Sequence, residues 1–223
     1  MKKQILLLPG YDGSGEKTFK KLVPLLSRKY SVETIDYPYF SNPKKQYNLD
    51  ELVDFVDKKV KDKAIILGFS MGGFVASKYA NKYPEKTEKL ILVSSSTVPL
   101  LDTRLKILLN MASLFFKSRI LAFVITKWFL QSNLKDFPLP KPGRNFKAEQ
   151  GYAVFGSLIK VMREIKMEKI KAKKMAILFE DDNSFPALLC GPKLKKEGFE
   201  VKIFKTGGHA EGADYWEKVA KVI

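Results

Sequence analysis

Short apolar runs alternate with amphipathic stretches along most of the chain, and this alternation predicts a layered α/β fold. Ile5–Leu8 is a strand-length apolar run closed by Pro9-Gly10. Thr18–Lys29 carries apolar residues at 19, 22, 23, 25 and 26, the spacing of a helix face. Val32–Ile35 reads as a second strand, and Leu49–Val60 as a helix with apolar residues at 49, 52, 53, 56 and 60 and with Asp50 and Glu51 at its positive end. Ala64–Phe69, Leu90–Val93, Met175–Phe179 and Val201–Phe204 are further strands; Gly72–Lys82 and Asp214–Val222 are further helices. Runs such as Ile5–Leu8, Ile65–Leu67 and Met175–Phe179 are apolar throughout rather than alternating, which predicts strands covered on both faces, and their alternation with helices predicts parallel pairing. The expectation is a doubly wound, mostly parallel six-stranded sheet with its site at the carboxyl ends of the strands.

Residues 97–170 interrupt this rhythm. Leu105, Leu108, Leu109, Ala112, Phe115 and Phe116 share one helical face, and Ile120, Leu121, Val124, Ile125, Trp128 and Phe129 share another. Phe137–Gly143, with three prolines, reads as a loop, and Lys147–Ile165 as a third helix. Placed between strands four and five, the segment is expected to be a helical lid roofing an apolar pocket. The core would then comprise residues 1–96 and 171–223. Extra core packing and a membrane-surface helix are the competing readings.

The length of 223 residues fits one domain. No run reaches 18 uninterrupted apolar residues, so no membrane-spanning helix is expected. The opening Met1–Leu8 superficially suits a signal peptide, but its apolar run is too short and ends at Pro9-Gly10, so a first strand explains it better. The single cysteine, Cys190, rules out an internal disulfide and suits a reducing cytoplasm. No partner motif around Cys190 marks it as a nucleophile. The net charge is +16, nearly all of it from lysines spread along the chain. A solvated surface accounts for this charge; a sharper reading is attraction to an acidic acyl carrier protein or a transient anionic membrane surface. Nucleic acid is not expected, because no basic patch interleaves with aromatics.

The chemistry concentrates at Gly68-Phe69-Ser70-Met71-Gly72, which follows an apolar strand and opens a helix. A G-x-S-x-G sequence in this setting predicts a sharp, strained turn presenting the serine hydroxyl. Glycine on either side avoids collision with the neighbouring strand and helix. A serine hydroxyl needs a base, and His209, after Gly207-Gly208 at the end of the last strand, is the chain's one histidine. The base needs a carboxylate to fix its tautomer. Strand five ends in Glu180-Asp181-Asp182, with Asp182 the first choice and Asp181 the second. A developing oxyanion needs donors, for which the Met71 and Tyr11 N–H groups are the candidates. The loop Pro9–Gly15 is rich in glycine but matches no phosphate-binding motif.

These segments together resemble the α/β-hydrolase superfamily over nearly the full chain. Leu8–Gly15 resembles its oxyanion loop, with Pro9 where histidine is common, and Gly68–Gly73 resembles its nucleophile elbow. Tyr83–Lys86 with Leu90–Ser94, and Gly207–His209, resemble the following strand and the terminal histidine loop. The acid region departs from the pattern, with Phe179 where glycine is usual, although Pro186 matches a proline four residues after the acid and favours Asp182. Ala210 stands where a bulkier residue is common, and the opening hairpin of the family has no counterpart. Size and loop pattern are most similar to small carboxylesterases and thioesterases, a group that includes methyl esterases acting on carrier-bound pimeloyl groups.

The resemblance implies hydrolysis of a carboxylic ester or thioester with an apolar acyl group, free or carrier-bound, through an acyl-enzyme. No metal or cofactor is implied. A lysophospholipase-like enzyme at anionic lipid surfaces and a non-catalytic ligand binder are the alternatives.

Overall fold

The computed structural model describes residues 2–99, 103–132, 146–166 and 169–223. Six strands, β1 (Gln4–Leu8), β2 (Ser31–Thr34), β3 (Ala64–Phe69), β4 (Thr87–Val93), β5 (Lys173–Phe179) and β6 (Glu200–Phe204), form one sheet in the order β2-β1-β3-β4-β5-β6. Every neighbouring pair is parallel. The chain steps from β1 outward to β2 and then back to β3 on the other side of β1. A crevice at such a reversal, beyond the carboxyl ends of the two strands, is where ligands bind in open parallel sheets.

Side chains along each strand divide between two cores. Leu6, Leu8, Ile66, Leu92 and Leu178 face one cluster. Ile5, Leu7, Leu67, Val93 and Phe179 face the other. Cover on both faces explains the unbroken apolar runs of β1, β3 and β5, whereas the edge strands β2 and β6 are partly exposed and carry polar residues. On the first face pack α4 (Leu49–Asp57), α5 (Met71–Lys82) and α9 (Ala187–Lys196); on the second pack α1 (Gly15–Phe19), α2 (Leu22–Leu26) and α10 (Tyr215–Val222).

Several boundaries differ from the sequence expectation for identifiable reasons. The single helix expected over Thr18–Lys29 is two short helices, α1 and α2, broken at Lys20-Lys21. Pro24 has no N–H to donate to the Lys20 carbonyl, and its ring would collide with it, so the turn cannot continue. Helix α4 starts at a capping box in which the Asn48 side chain accepts from Glu51 N–H at 2.8 Å and the Glu51 carboxylate accepts from Asn48 N–H at 2.9 Å. A short α3 (Pro38–Ser41) and all of α9 were not anticipated; Pro192 inside α9 masks its helical pattern.

Between β4 and β5 lie α6 (Thr103–Phe115), α7 (Arg119–Gln131), a 3-10 turn at Ala148–Gln150 and α8 (Gly151–Glu164). The expected helix over Lys147–Ile165 is therefore the 3-10 turn followed by α8. The loop expected over Phe137–Gly143 lies outside the described residues, as do the side chains of Leu105 and Leu108. Helices α6 and α7 both rest on α8.

The apolar faces of α6 and α7 are only partly turned inward. Phe116 and Phe129 are buried, but Phe115, Ile120, Leu121, Val124 and Trp128 are exposed. Ala122 and Thr126 instead form the buried face of α7. They are small, and α8 comes so close that a Cβ at Gly151 would overlap the Thr126 hydroxyl. Because α7 is apolar on nearly every side, its periodicity does not mark which face is buried.

Candidate active site

The site is built where β1, β3, β5 and β6 end. Ser70 follows β3 directly and has φ 52° and ψ −123°, a region that non-glycine residues avoid. Three hydrogen bonds hold it there: Ser70 N–H donates to Val93 O at 3.1 Å, and Ser70 O accepts from Gly73 N–H at 2.9 Å and from Ser95 Oγ at 2.7 Å. The flanking glycines are required by close approach. A Cβ at Gly68 would run into the Gly72 carbonyl, and one at Gly72 into the Leu8 and Pro9 carbonyls.

His209 Nε2 lies 2.9 Å from Ser70 Oγ, and His209 Nδ1 lies 3.1 and 3.0 Å from the two carboxylate oxygens of Asp182. An ionised carboxylate only accepts, so Nδ1 carries the proton and Nε2 is left to accept from the serine hydroxyl. The imidazole lies between Phe69 and Phe185, with ring centroids at 5.0 and 5.8 Å. Ser70 is 8% exposed.

Asp182 is buried at the turn after β5. Its Oδ1 accepts from Ser184 N–H at 2.8 Å and Phe185 N–H at 3.0 Å, and Ser94 hydrogen-bonds the same carboxylate. Burial pushes its pKa up, but the hydrogen bond and charge of His209, with the Phe185 and Ser94 bonds, outweigh this and hold the carboxyl below its usual range. Asp181 points elsewhere. Its carboxylate accepts from Gly207 N–H at 3.1 Å and Gly208 N–H at 2.8 Å, and the Gly208 bond leads the effects that lower its pKa. Asp181, the second choice for the acid, instead clamps the loop that carries His209.

The Gly10 loop borders the serine: a Cβ built on Gly10 would lie 3.5 Å from Ser70 Cβ. The Tyr11 carbonyl accepts from Tyr39 Oη at 3.0 Å, and the Tyr11 ring stacks on Phe155 of α8 at 5.7 Å. These contacts hold Tyr11 through its carbonyl and its ring. Met71 opens α5, so its N–H has no acceptor within the helix. Asp12, beside Tyr11, is largely buried, and this raises its pKa to about 6 despite hydrogen bonds from Ser14 and Gly13 N–H.

Sequence reasoning missed Ser94, Tyr215, Phe155 and Phe185. Ser94 sits at the end of β4 with φ 43°, and Tyr215 Oη donates to Ser94 Oγ at 2.7 Å. The one available signal was the position of Ser94-Ser95-Ser96 at the carboxyl end of a strand. Cys190 is buried in the core, and burial pushes its thiol up to about 12, far from thiolate chemistry at neutral pH. Among the described residues no group of three His, Cys, Asp or Glu side chains is placed to hold a metal ion.

Comparison with known proteins adds the following. Over 96 residues the chain is 34% identical to a pimeloyl-[acyl-carrier protein] methyl ester esterase of Aeromonas hydrophila subsp. hydrophila, covering 41% of this chain and 37% of that protein. The match therefore spans little more than a third of the relative. Two solved structures align over nearly the whole chain. A bromoperoxidase from Bacillus anthracis covers 100% of this chain and 90% of its own, with TM-score 0.71 and 18% identity. An esterase from Exiguobacterium antarcticum covers 99% and 90%, with TM-score 0.68 and 16% identity. At these identities the two structures establish the fold alone. The family model for the alpha/beta hydrolase fold matches residues 3–133, more than half of the sequence, and the chain belongs to that family.

Proposed function

We propose that this protein is a serine hydrolase that cleaves a carboxylic ester or thioester with an apolar acyl group. The observation that carries the reading is the continuous relay from Ser70 Oγ through His209 to Asp182, with contacts of 2.9 and 3.0 Å. In the first step Ser70 Oγ attacks the acyl carbonyl carbon while its proton passes to His209 Nε2. The carbonyl oxygen takes the electron pair and is held by the N–H groups of Tyr11 and Met71. Collapse of this intermediate expels the alcohol or thiol, protonated by His209, and leaves an acyl-serine. A water molecule then gives a proton to His209 Nε2, its oxygen attacks the acyl carbon, and Ser70 leaves with that proton. Asp182 holds the ring in the Nδ1–H tautomer and stabilises its cation throughout.

Helices α6 to α8 act in this reading as a lid over the acyl group. Phe155 stacks on Tyr11 and packs with Phe116, Phe129 and Phe146, an aromatic wall suited to an acyl chain rather than a charged substrate. The likeness to a methyl ester esterase of a carrier-bound acyl group makes that ester class one member of the substrate set.

A fluorophosphonate probe tests the chemistry. The expected result is one adduct, mapped to the peptide containing Ser70 and lost in Ser70→Ala. An unlabelled protein that also leaves a panel of short and long p-nitrophenyl esters and carrier-bound acyl methyl esters intact would overturn the reading in favour of a ligand binder.

A further inference from the structure

We propose that the outward faces of α6 and α7 form an attachment surface for an anionic lipid bilayer, on which the protein lies without spanning it. Ile107, Met111 and Leu114 recur every three to four residues along α6, and Ile120, Val124 and Trp128 every four along α7, and all six are exposed. Ile120 is 76% exposed and Trp128 58%. Both helices use their other faces to pack on α8, so the two stripes point away from the core. Large apolar side chains repeated in this way are not the scattered exposures usual on a protein surface, and they mark a face that binds something.

Charge selects the occupant. Residues 103–132 contain five basic residues, Arg104, Lys106, Lys117, Arg119 and Lys127, and no acidic one. Lys127 is exposed and falls one helical step from the Ile120–Val124 row. Apolar side chains beside the exposed Lys117 and Lys127, with a tryptophan among them, match the composition of helices that lie in the headgroup region of anionic membranes. A second copy of this chain fits poorly, because a two-fold interface would set the basic rows of the two copies against each other. An acidic carrier protein answers the same charge and is the competing occupant. Among the described residues no helix is long and apolar enough to cross a membrane, which leaves attachment in the plane of the interface.

The surface and the candidate site share one scaffold. Phe116, just after α6, and Phe129, on the buried face of α7, pack on Phe155, which stacks on Tyr11. A bilayer at the outer face would therefore lie one helix layer from the oxyanion loop. The attachment does not depend on the chemistry at Ser70, so it is measured with the Ser70→Ala protein.

The experiment mixes that protein with phosphatidylcholine vesicles, with and without phosphatidylglycerol, and follows flotation and tryptophan emission. Trp216 is 6% exposed, so a change in emission reports on Trp128. The expected result is binding to the anionic vesicles about tenfold tighter or more than to the neutral ones, weakened by salt and accompanied by a blue shift. Ile120→Ser/Val124→Ser, at exposed positions that spare the core, lowers the affinity about tenfold while the thermal melt stays unchanged. Hydrolysis of a water-soluble short ester by the same double variant in a Ser70 background also stays unchanged. Absence of flotation, flotation indifferent to the double variant, self-association abolished by it without vesicle binding, or capture of an acidic carrier protein without vesicle binding would each overturn the proposal. An inactive Ser70 protein whose alanine variant still floats would sink the hydrolase reading and leave this one standing.

Discussion

The Tyr215 hydroxyl donates to Ser94 Oγ at 2.7 Å, and this bond sets the direction of the Ser94 proton. Because Ser94 accepts in that bond, its own O–H is left to donate to Asp182. Ser94 adopts a left-handed backbone, φ 43°, where a serine pays conformational energy. The cost is consistent with a residue fixed by its bonds on both sides. Tyr215 is wholly buried and stacks on Phe179 at 4.4 Å, so the relay behind His209 is anchored in the core.

Loss of the Tyr215 hydroxyl therefore loosens the carboxylate without touching the serine. In Tyr215→Phe the ring packing remains and one buried hydrogen bond, about 1 kcal/mol, is lost. We expect kcat on a p-nitrophenyl ester to fall several-fold with KM held, and labelling of Ser70 by a fluorophosphonate to slow equally. Ser94→Ala, which removes the donor itself, should cost more than Tyr215→Phe. Equal activity of both variants to wild type would show that the relay ends at Asp182.

The adjacent carboxylates should separate cleanly on substitution. Asp182→Asn puts an amide where His209 Nδ1–H needs an anion, and kcat should fall on the order of 10³-fold or more. Asp181→Asn retains one acceptor for the Gly207 and Gly208 amides, and less than tenfold loss is expected. A larger loss at Asp181 than at Asp182, measured by steady-state hydrolysis, would reverse their roles.

Asp12 gives a pH signature. Its carboxyl is raised from the usual 3.8 to about 6, so the folded state holds a proton that the unfolded chain releases between those values. Its contribution is therefore most favourable at low pH and is lost as the pH rises toward 6, amounting to about 3 kcal/mol above that range. Asp12→Asn mimics the protonated form. Urea melts of the two proteins should coincide near pH 4 and diverge by pH 7, with the variant the more stable. Parallel curves across this range would place the titration elsewhere.

Gly68 and Gly72 test the turn itself. Gly72→Ala forces a methyl group against the Leu8 and Pro9 carbonyls, next to the oxyanion loop. Destabilisation of about 1–3 kcal/mol is expected, with a disproportionate fall in kcat because the Met71 N–H moves with the turn. Thermal melts and kinetics on the same preparation separate the two effects.

Strands were legible because a parallel sheet covered on both faces writes continuous apolar runs, as Ala64–Phe69 and Met175–Phe179 do. Ser70, His209 and Asp182, singled out from motif, scarcity and chain order, are the three side chains the structure brings together. The break before α2 was also written in the sequence, in Pro24, but the apolar spacing around it drew the helix through. Helix α9 was hidden by Pro192, and α3 is too short for periodicity to register. The orientation of α7 was not legible at all, since fit between Thr126 and Gly151, rather than hydrophobicity, decides which side turns inward. Ser94 and Tyr215 lie 121 residues apart, and nothing local marks them as partners.

Ser70 stands 139 positions before His209 along the polypeptide, with all of α6 to α8 between them. Cutting the backbone between α6 and α8 would strand the hydroxyl on one fragment and the imidazole and its acid on the other. On the proposed mechanism neither piece alone would turn over an ester, so the release of a coloured alcohol would count reassembled pairs, and a fused bait and prey could be scored by the colour they restore.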